Sequence, residues 1–190
     1  MPETTLDGRS ARAERTREKV VDALLELLDG GDTRPTAERI ADRAGVSERT
    51  VFQHYADREA LFGAVGDRQA ARVLPTLEVI PPELPLPERI DRFTKQRARL
   101  LERLSGVRRG ALLLEPESPA VAEGLAMARR LKAAEIERVF AAEIAAAPAL
   151  RAPLISAGAW TAWEGLRRHQ GLSERQALVA MRITFERLLG

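Results

Sequence analysis

Residues Thr36–Phe62 read TAERIADRAGVSERTVFQHYADREALF. Thr36 is an N-cap residue ahead of a short helical pattern that ends near Ala44. Gly45 follows, the residue suited to a left-handed turn. Ser47 is the next N-cap and opens another short helix, to about Tyr55. Two short helices joined by a glycine turn form a helix-turn-helix. Ala41 is small where the two helices must approach closely, and Ile40, Val46, Val51 and Tyr55 supply a shared core. Val51 and Tyr55 stand one turn apart, so the opposite face of the second helix presents Arg49, Thr50, Gln53 and His54 as one polar strip. A DNA major groove accepts a helix of this kind and offers donors and acceptors to those side chains.

The rest of the chain is predicted to be helical throughout. Alanine, leucine, arginine and glutamate dominate, and no segment alternates with period two over a strand's length. Upstream, a helix is expected from about Arg12 to Asp29, with Val20, Ala23, Leu24, Leu27 and Leu28 as its apolar stripe and Gly30-Gly31 as its stop. Asp57 caps a helix that continues to about Leu74. A break holding Pro75, Pro81, Pro82, Pro85 and Pro87 follows, which no helix would survive. Beyond it, helices are expected over about 88–105, 108–114, 118–146, 149–169 and 173–189. Ser118-Pro119 and the capping box Ser173–Gln176 mark two of the starts. The expectation is an all-α fold of about nine helices. Residues 1–56 would form a helix-turn-helix domain and residues 57–190 a larger regulatory bundle.

The segment resembles the DNA-binding domain of the tetracycline-repressor (TetR) family. The resemblance rests on Thr36, Ile40-Ala41, Ala44-Gly45-Val46-Ser47, Thr50-Val51-Phe52, His54-Tyr55 and Arg58-Glu59-Ala60-Leu61, with Arg17–Val21 fitting the first helix. It implies that Thr36 and Ser47 contact phosphate, that Arg49, Thr50, Gln53 and His54 face base edges or phosphates, and that Tyr55 is partly core with its hydroxyl reaching a phosphate. Arg58 stands where the family has a phosphate-binding lysine. Phe52 holds a position often occupied by tyrosine, and Gln53 replaces a frequent aromatic. Both differences bear on which operator is read.

The same resemblance implies a repressor that binds a palindromic operator in double-stranded DNA as a homodimer and is released by a small-molecule effector. The last two helices would pair with their two-fold mates, through Leu154, Trp160, Leu178, Met181, Phe185 and Leu188. The ligand pocket comes from the family analogy. An apolar or amphipathic molecule would meet Phe93, Leu100, Leu104, Met127, Leu131 and Phe140, which lie among small residues such as Gly124 and Ala126. The rival expectation is a DNA-binding regulator without an inducer, whose regulatory core is packed solid.

Composition narrows the alternatives. The 190 residues suffice to bury roughly 70% of the unfolded surface without staples. The absence of cysteine excludes disulfides, thiolate metal sites and cysteine nucleophiles, and two histidines do not make a histidine-rich metal site. No cofactor is expected. Glu115, Glu117 and Glu164 have no paired carboxylate in sequence, so an enzyme is not expected either. Met1–Ser10 is polar, and no run approaches the length of a membrane span, which makes the cytoplasm the expected compartment. Residues 1–60 hold 10 Arg and Lys against 13 Asp and Glu, a net of −3, so any DNA face must be positive by arrangement. Arg9, Arg12, Arg15 and Arg17 are candidates for an arm that follows the DNA backbone or enters a minor groove.

Overall fold

A computed structural model describes the backbone of residues 4–190 and the side chains from Ser10 onward. Ten α-helices account for most of the described residues, and none of these residues lies in a strand. In chain order the helices are α1 (Thr4–Asp29), α2 (Ala37–Ala44), α3 (Glu48–His54), α4 (Arg58–Val73), α5 (Leu86–Leu114), α6 (Pro119–Val139), α7 (Ala141–Ala146), α8 (Arg151–Ala157), α9 (Trp160–Glu164) and α10 (Glu174–Leu189). The all-α expectation holds, with one helix more than the nine foreseen. None of the described helices is long and apolar enough to cross a membrane.

The chain forms two compact units. The first contains the described residues up to Arg72 together with Gly106–Ala122; the second contains Val73–Ser105 and Glu123–Gly190. In the first unit α1 packs on α2 and α3, and α2 packs on α3. The core is Val20, Leu24, Leu28, Ile40, Ala41, Val51, Tyr55, Phe62 and Val65, all buried. Asp22 on α1 pairs with both Arg68 (3.1 Å) and Arg72 (2.6 Å) on α4. Ser118 donates to Glu59 on α4 while accepting from the Val121 N–H as the cap of α6.

The predicted break between residues 105 and 108 does not occur; α5 runs through it as one helix. The reason lies within the first unit. A Cβ on Gly106 would come within 2.7 Å of the Leu28 carbonyl oxygen, and one on Gly110 within 2.6 Å of the Leu28 side chain. These glycines allow close backbone approach instead of ending the helix.

The second unit is built around three rings. Phe93, Phe140 and Phe185 are fully buried, with centroids 5.0–5.6 Å apart and edge-to-face or tilted geometry. Seating Phe140 there interrupts the helix expected to reach Ala146: its φ of −114° and ψ of 31° separate α6 from α7. The helix expected over 149–169 is likewise divided. A short 3₁₀ turn and α8 come first, Gly158-Ala159 breaks the path, and α9 then continues into a π turn over Gly165–His169. Gly158 is held by its surroundings, since a Cβ there would lie 2.8 Å from Ile136 and its carbonyl accepts a 3.0 Å bond from buried Arg97. Arg97 also bonds the Lys132 carbonyl (3.0 Å) and Glu135 (2.8 Å) and lies over the Phe93 ring. Burial lowers its pKa, and Glu135 opposes that shift.

Candidate nucleic-acid interface

The geometry of the helix-turn-helix follows from its caps. The Thr36 hydroxyl oxygen accepts from the Arg39 N–H at 3.3 Å, which starts α2. Gly45 ends it at φ 67°, in the left-handed region, and its N–H returns to the last carbonyls of the helix. Two residues on, the Ser47 oxygen accepts from the Thr50 N–H at 3.2 Å and starts α3. The two turns are therefore fixed by local chemistry, and α3 is anchored on the unit's core by Val51 and Tyr55, 3% and 5% exposed.

The outer face of α3 presents Arg49, Phe52 and Gln53 as exposed side chains, with Thr50 and His54 partly exposed. With about 100° per residue, Arg49 and Gln53 lie opposite Val51, Thr50 and His54 on one flank and Phe52 on the other. Four of the expected residues thus share one surface. Thr50 is partly engaged already, its hydroxyl 2.8 Å from that of Ser47. Capping uses a lone pair of Thr36 and leaves its hydroxyl hydrogen to donate. Arg58 is exposed in the first turn of α4, where Asp57 caps by accepting from the Ala60 N–H at 2.7 Å.

Tyr55 differs from its expected role. The ring is buried and the hydroxyl donates to the Arg17 carbonyl at 3.3 Å, with the Arg17 guanidinium 5.4 Å above the ring. The hydroxyl that was to reach a phosphate is spent fastening α3 to α1. Arg12, Arg15 and Arg17 are exposed, but on helix α1 instead of an extended arm. Arg9 lies outside the described side chains. The acidic excess of this region is partly neutralised in place: Glu26 pairs with Arg43 (3.2 Å), Asp32 with Arg39 (2.7 Å) and Asp22 with two arginines. Phe52 is absent from the strip read from the sequence, although its 100° offset from Val51 already places it outside the core.

Residues 20–65 match the family model for bacterial regulatory proteins of the tetR family. The matched residues span the caps, the glycine turn and all of α3. A transcriptional regulator from Rhodococcus sp. Rha1 shares the fold of this chain with a TM-score of 0.70 at 17% identity, over 91% of this chain and 95% of that one. A regulator from Mesorhizobium loti MAFF303099, described as TetR-family, superposes with a TM-score of 0.61 at 17% identity, covering 94% and 96% of the two chains. At these identities the likeness speaks to the fold. A search of curated proteins gives no match. The match supports a DNA-binding regulator of transcription, and α3 lies wholly within the matched residues.

The other expected residues fall in the second unit. Phe93 and Phe140 are sealed inside the three-ring cluster, Leu100 is buried and Leu104 partly so. Met127 and Leu131 are exposed on α6. An open groove of about 340 Å³ is lined by Leu77, Val79, Leu131 and Ala134 with Gln96, Glu135 and Arg138 at its polar side. Gln96 holds one wall of it, bonding both the N–H (2.8 Å) and the carbonyl (3.1 Å) of Glu78. Leu131 alone of the six expected ligand residues lines that groove. Of the six expected dimer residues, Leu154, Met181 and Phe185 are buried in their own unit and Trp160 donates its indole N–H to Ser105. Leu178 and Leu188 are partly exposed, and the open face of α10 carries Val179 and Ile183.

Proposed function

We propose that this DNA-binding regulator is a repressor that occupies a palindromic operator as a homodimer and leaves it when a small amphipathic ligand binds the second unit. Residues 1–56 serve as the DNA-binding domain and residues 57–190 as the regulatory and dimerising part. The observation that carries the proposal is the exposed strip of Arg49 and Gln53 on a helix capped and buried on its other side. Thr50 and His54 complete the base-facing group. Arg58 and the hydroxyl and N–H groups of Thr36 and Ser47 serve as phosphate contacts, which set register without carrying sequence information.

The ligand half is supported by the groove beside α6. Its volume lies within the range of small-molecule sites, and its lining joins apolar walls to Gln96, Glu135 and Arg138. Occupancy would be relayed along the chain to α4 and change the separation of the two recognition helices. The close packing of Phe93, Phe140 and Phe185 favours the second reading, a regulator without an inducer.

One experiment separates the two. The full-length protein is screened by thermal shift against small amphipathic metabolites and drugs, and each stabiliser is tested for release of the bound operator. A ligand that releases DNA and loses its effect in Leu131→Arg supports induction. To reverse occupancy from 99:1 to 1:99 it must favour the released state about 10⁴-fold. Operator binding with no releasing ligand leaves the second reading.

A further inference from the structure

Phe52 is 58% exposed, the one aromatic among the exposed large apolar side chains of the described residues. It lies on α3, whose other outward residues are polar or charged. A solitary exposed apolar side chain is ordinarily unremarkable. The position of this one makes it informative. A phenyl ring has no hydrogen-bond donor or acceptor, so in a major groove it is blind to every base-edge group except one. That group is the C5-methyl of thymine, the sole apolar feature the groove displays. Phe52 lies one helical turn after Arg49 and about 60° from it around the axis, so a base contacted by Phe52 is a neighbour of one contacted by Arg49. The two side chains read opposite chemistry: Arg49 is the donor suited to guanine, and Phe52 the apolar surface suited to thymine.

We propose that Phe52 is a specificity-determining residue that selects thymine at one base pair of each half-site by packing against its C5-methyl group. This rests on the reading of α3 as the base-contacting helix. Tyrosine at this place would present a hydroxyl to a phosphate, a contact indifferent to sequence. Phenylalanine exchanges that contact for one that discriminates between bases.

The test starts from the full-length protein and a site selected from a pool of random duplexes. Each thymine is then replaced in turn by deoxyuridine, which retains base pairing and removes only the methyl group. One thymine per half-site is expected to lose about fourfold in affinity on replacement, the amount associated with burying a single methyl. Phe52→Ala should bind the thymine and deoxyuridine sites equally, and Phe52→Tyr, which keeps the ring, should retain most of the discrimination. The wild-type result alone needs no variant to fold. If no deoxyuridine position weakens the wild type, or if Phe52→Ala keeps the same preference for thymine, the proposal is overturned while DNA reading by α3 stands. If no duplex is enriched at all, the underlying reading of α3 fails and the proposal with it.

Discussion

Gly106 and Gly124 both occupy helix interiors, yet substitution to alanine should move stability in opposite directions. Alanine is favoured over glycine by about 1 kcal/mol in a helix. Around Gly124 nothing lies within 4 Å of an added Cβ, so Gly124→Ala should stabilise by about 0.5–1 kcal/mol. At Gly106 the added carbon would meet the Leu28 carbonyl at 2.7 Å. Backbone atoms cannot move aside by changing rotamer, and overpacking of this kind costs about 1–3 kcal/mol, which outweighs the propensity gain. Gly106→Ala should therefore lower the thermal midpoint and Gly124→Ala raise it; movement in the same direction would contradict the packing of α5 on α1. A second residue-scale case is the pair Arg89–Glu143, with side chains 7% and 17% exposed. The Arg89 bond holds the Glu143 carboxyl below its ordinary pKa. The folded state favours the ionised form, so this contribution is present above the ordinary carboxylate range and disappears as pH falls through the lowered value. Glu143→Gln should cost about 2–3 kcal/mol at neutral pH, because Arg89 loses its counter-charge. The difference from wild type should shrink once both are neutral at that position. Thermal midpoints measured from pH 7 down to pH 3 check this, and a gap that stays constant with pH would show that the pair contributes no charge-dependent stability.

At the scale of elements, what was legible in the sequence is what local chemistry decides. Thr36, Ser47 and Ser173 are caps in the structure as in the sequence, and Gly45 makes the turn, because each satisfies backbone groups within three or four residues of itself. The outward strip of α3 was legible for the same reason: seven residues with Val51 inside leave little freedom for the others. The departures arise where distant residues decide. Ser105-Gly106 reads as a break until Leu28 is packed against it. Phe140 reads as helix until the Phe93 and Phe185 rings hold it. Tyr55 reads as a phosphate ligand until the Arg17 carbonyl accepts a hydrogen bond from its hydroxyl. None of these partners is near in sequence. The short spacing that made α3 legible also makes its functions separable. Gln53→Ala should cost about 1–3 kcal/mol at the preferred site and relax the preference at one base pair. Arg58→Ala should weaken preferred and random duplexes alike and reduce the slope of log affinity against log salt by about one. Binding measured on both duplexes across a salt series separates these outcomes. A base-pair-specific loss in Arg58→Ala would mean that this residue reads sequence.

For the whole molecule, the question is which surface joins two copies. The sequence nominated Leu154, Met181 and Phe185, but these side chains already fill their own unit. They are unavailable to a partner unless that unit opens. Val179 and Ile183 are 39% and 49% exposed and lie one turn apart on the face of α10 turned away from Phe185, flanked by Arg182 and Glu186. An apolar pair within a charged border is the expected pattern for an interface, apolar at the centre and polar at the rim. In an isologous dimer each such residue is buried twice, once per protomer. Burying half of an isoleucine side chain contributes on the order of 1 kcal/mol, so the two copies of Ile183 account for about 2 kcal/mol, or roughly thirtyfold in the dimer constant. Ile183→Glu goes further, because it places two like charges across the axis in a desolvated contact. Wild-type protein at micromolar concentration should therefore sediment at about twice 21.0 kDa, and Ile183→Glu at the single-chain mass. The variant should keep its helicity and thermal transition, since the residue makes no contribution to the three-ring core. It should also bind a single half-site as well as wild type does, while losing the added affinity that a second, correctly spaced half-site provides. A variant that remains dimeric would move the interface off this face of α10. A wild type that is monomeric at these concentrations, yet gains from paired half-sites, would show that the two copies meet only on DNA.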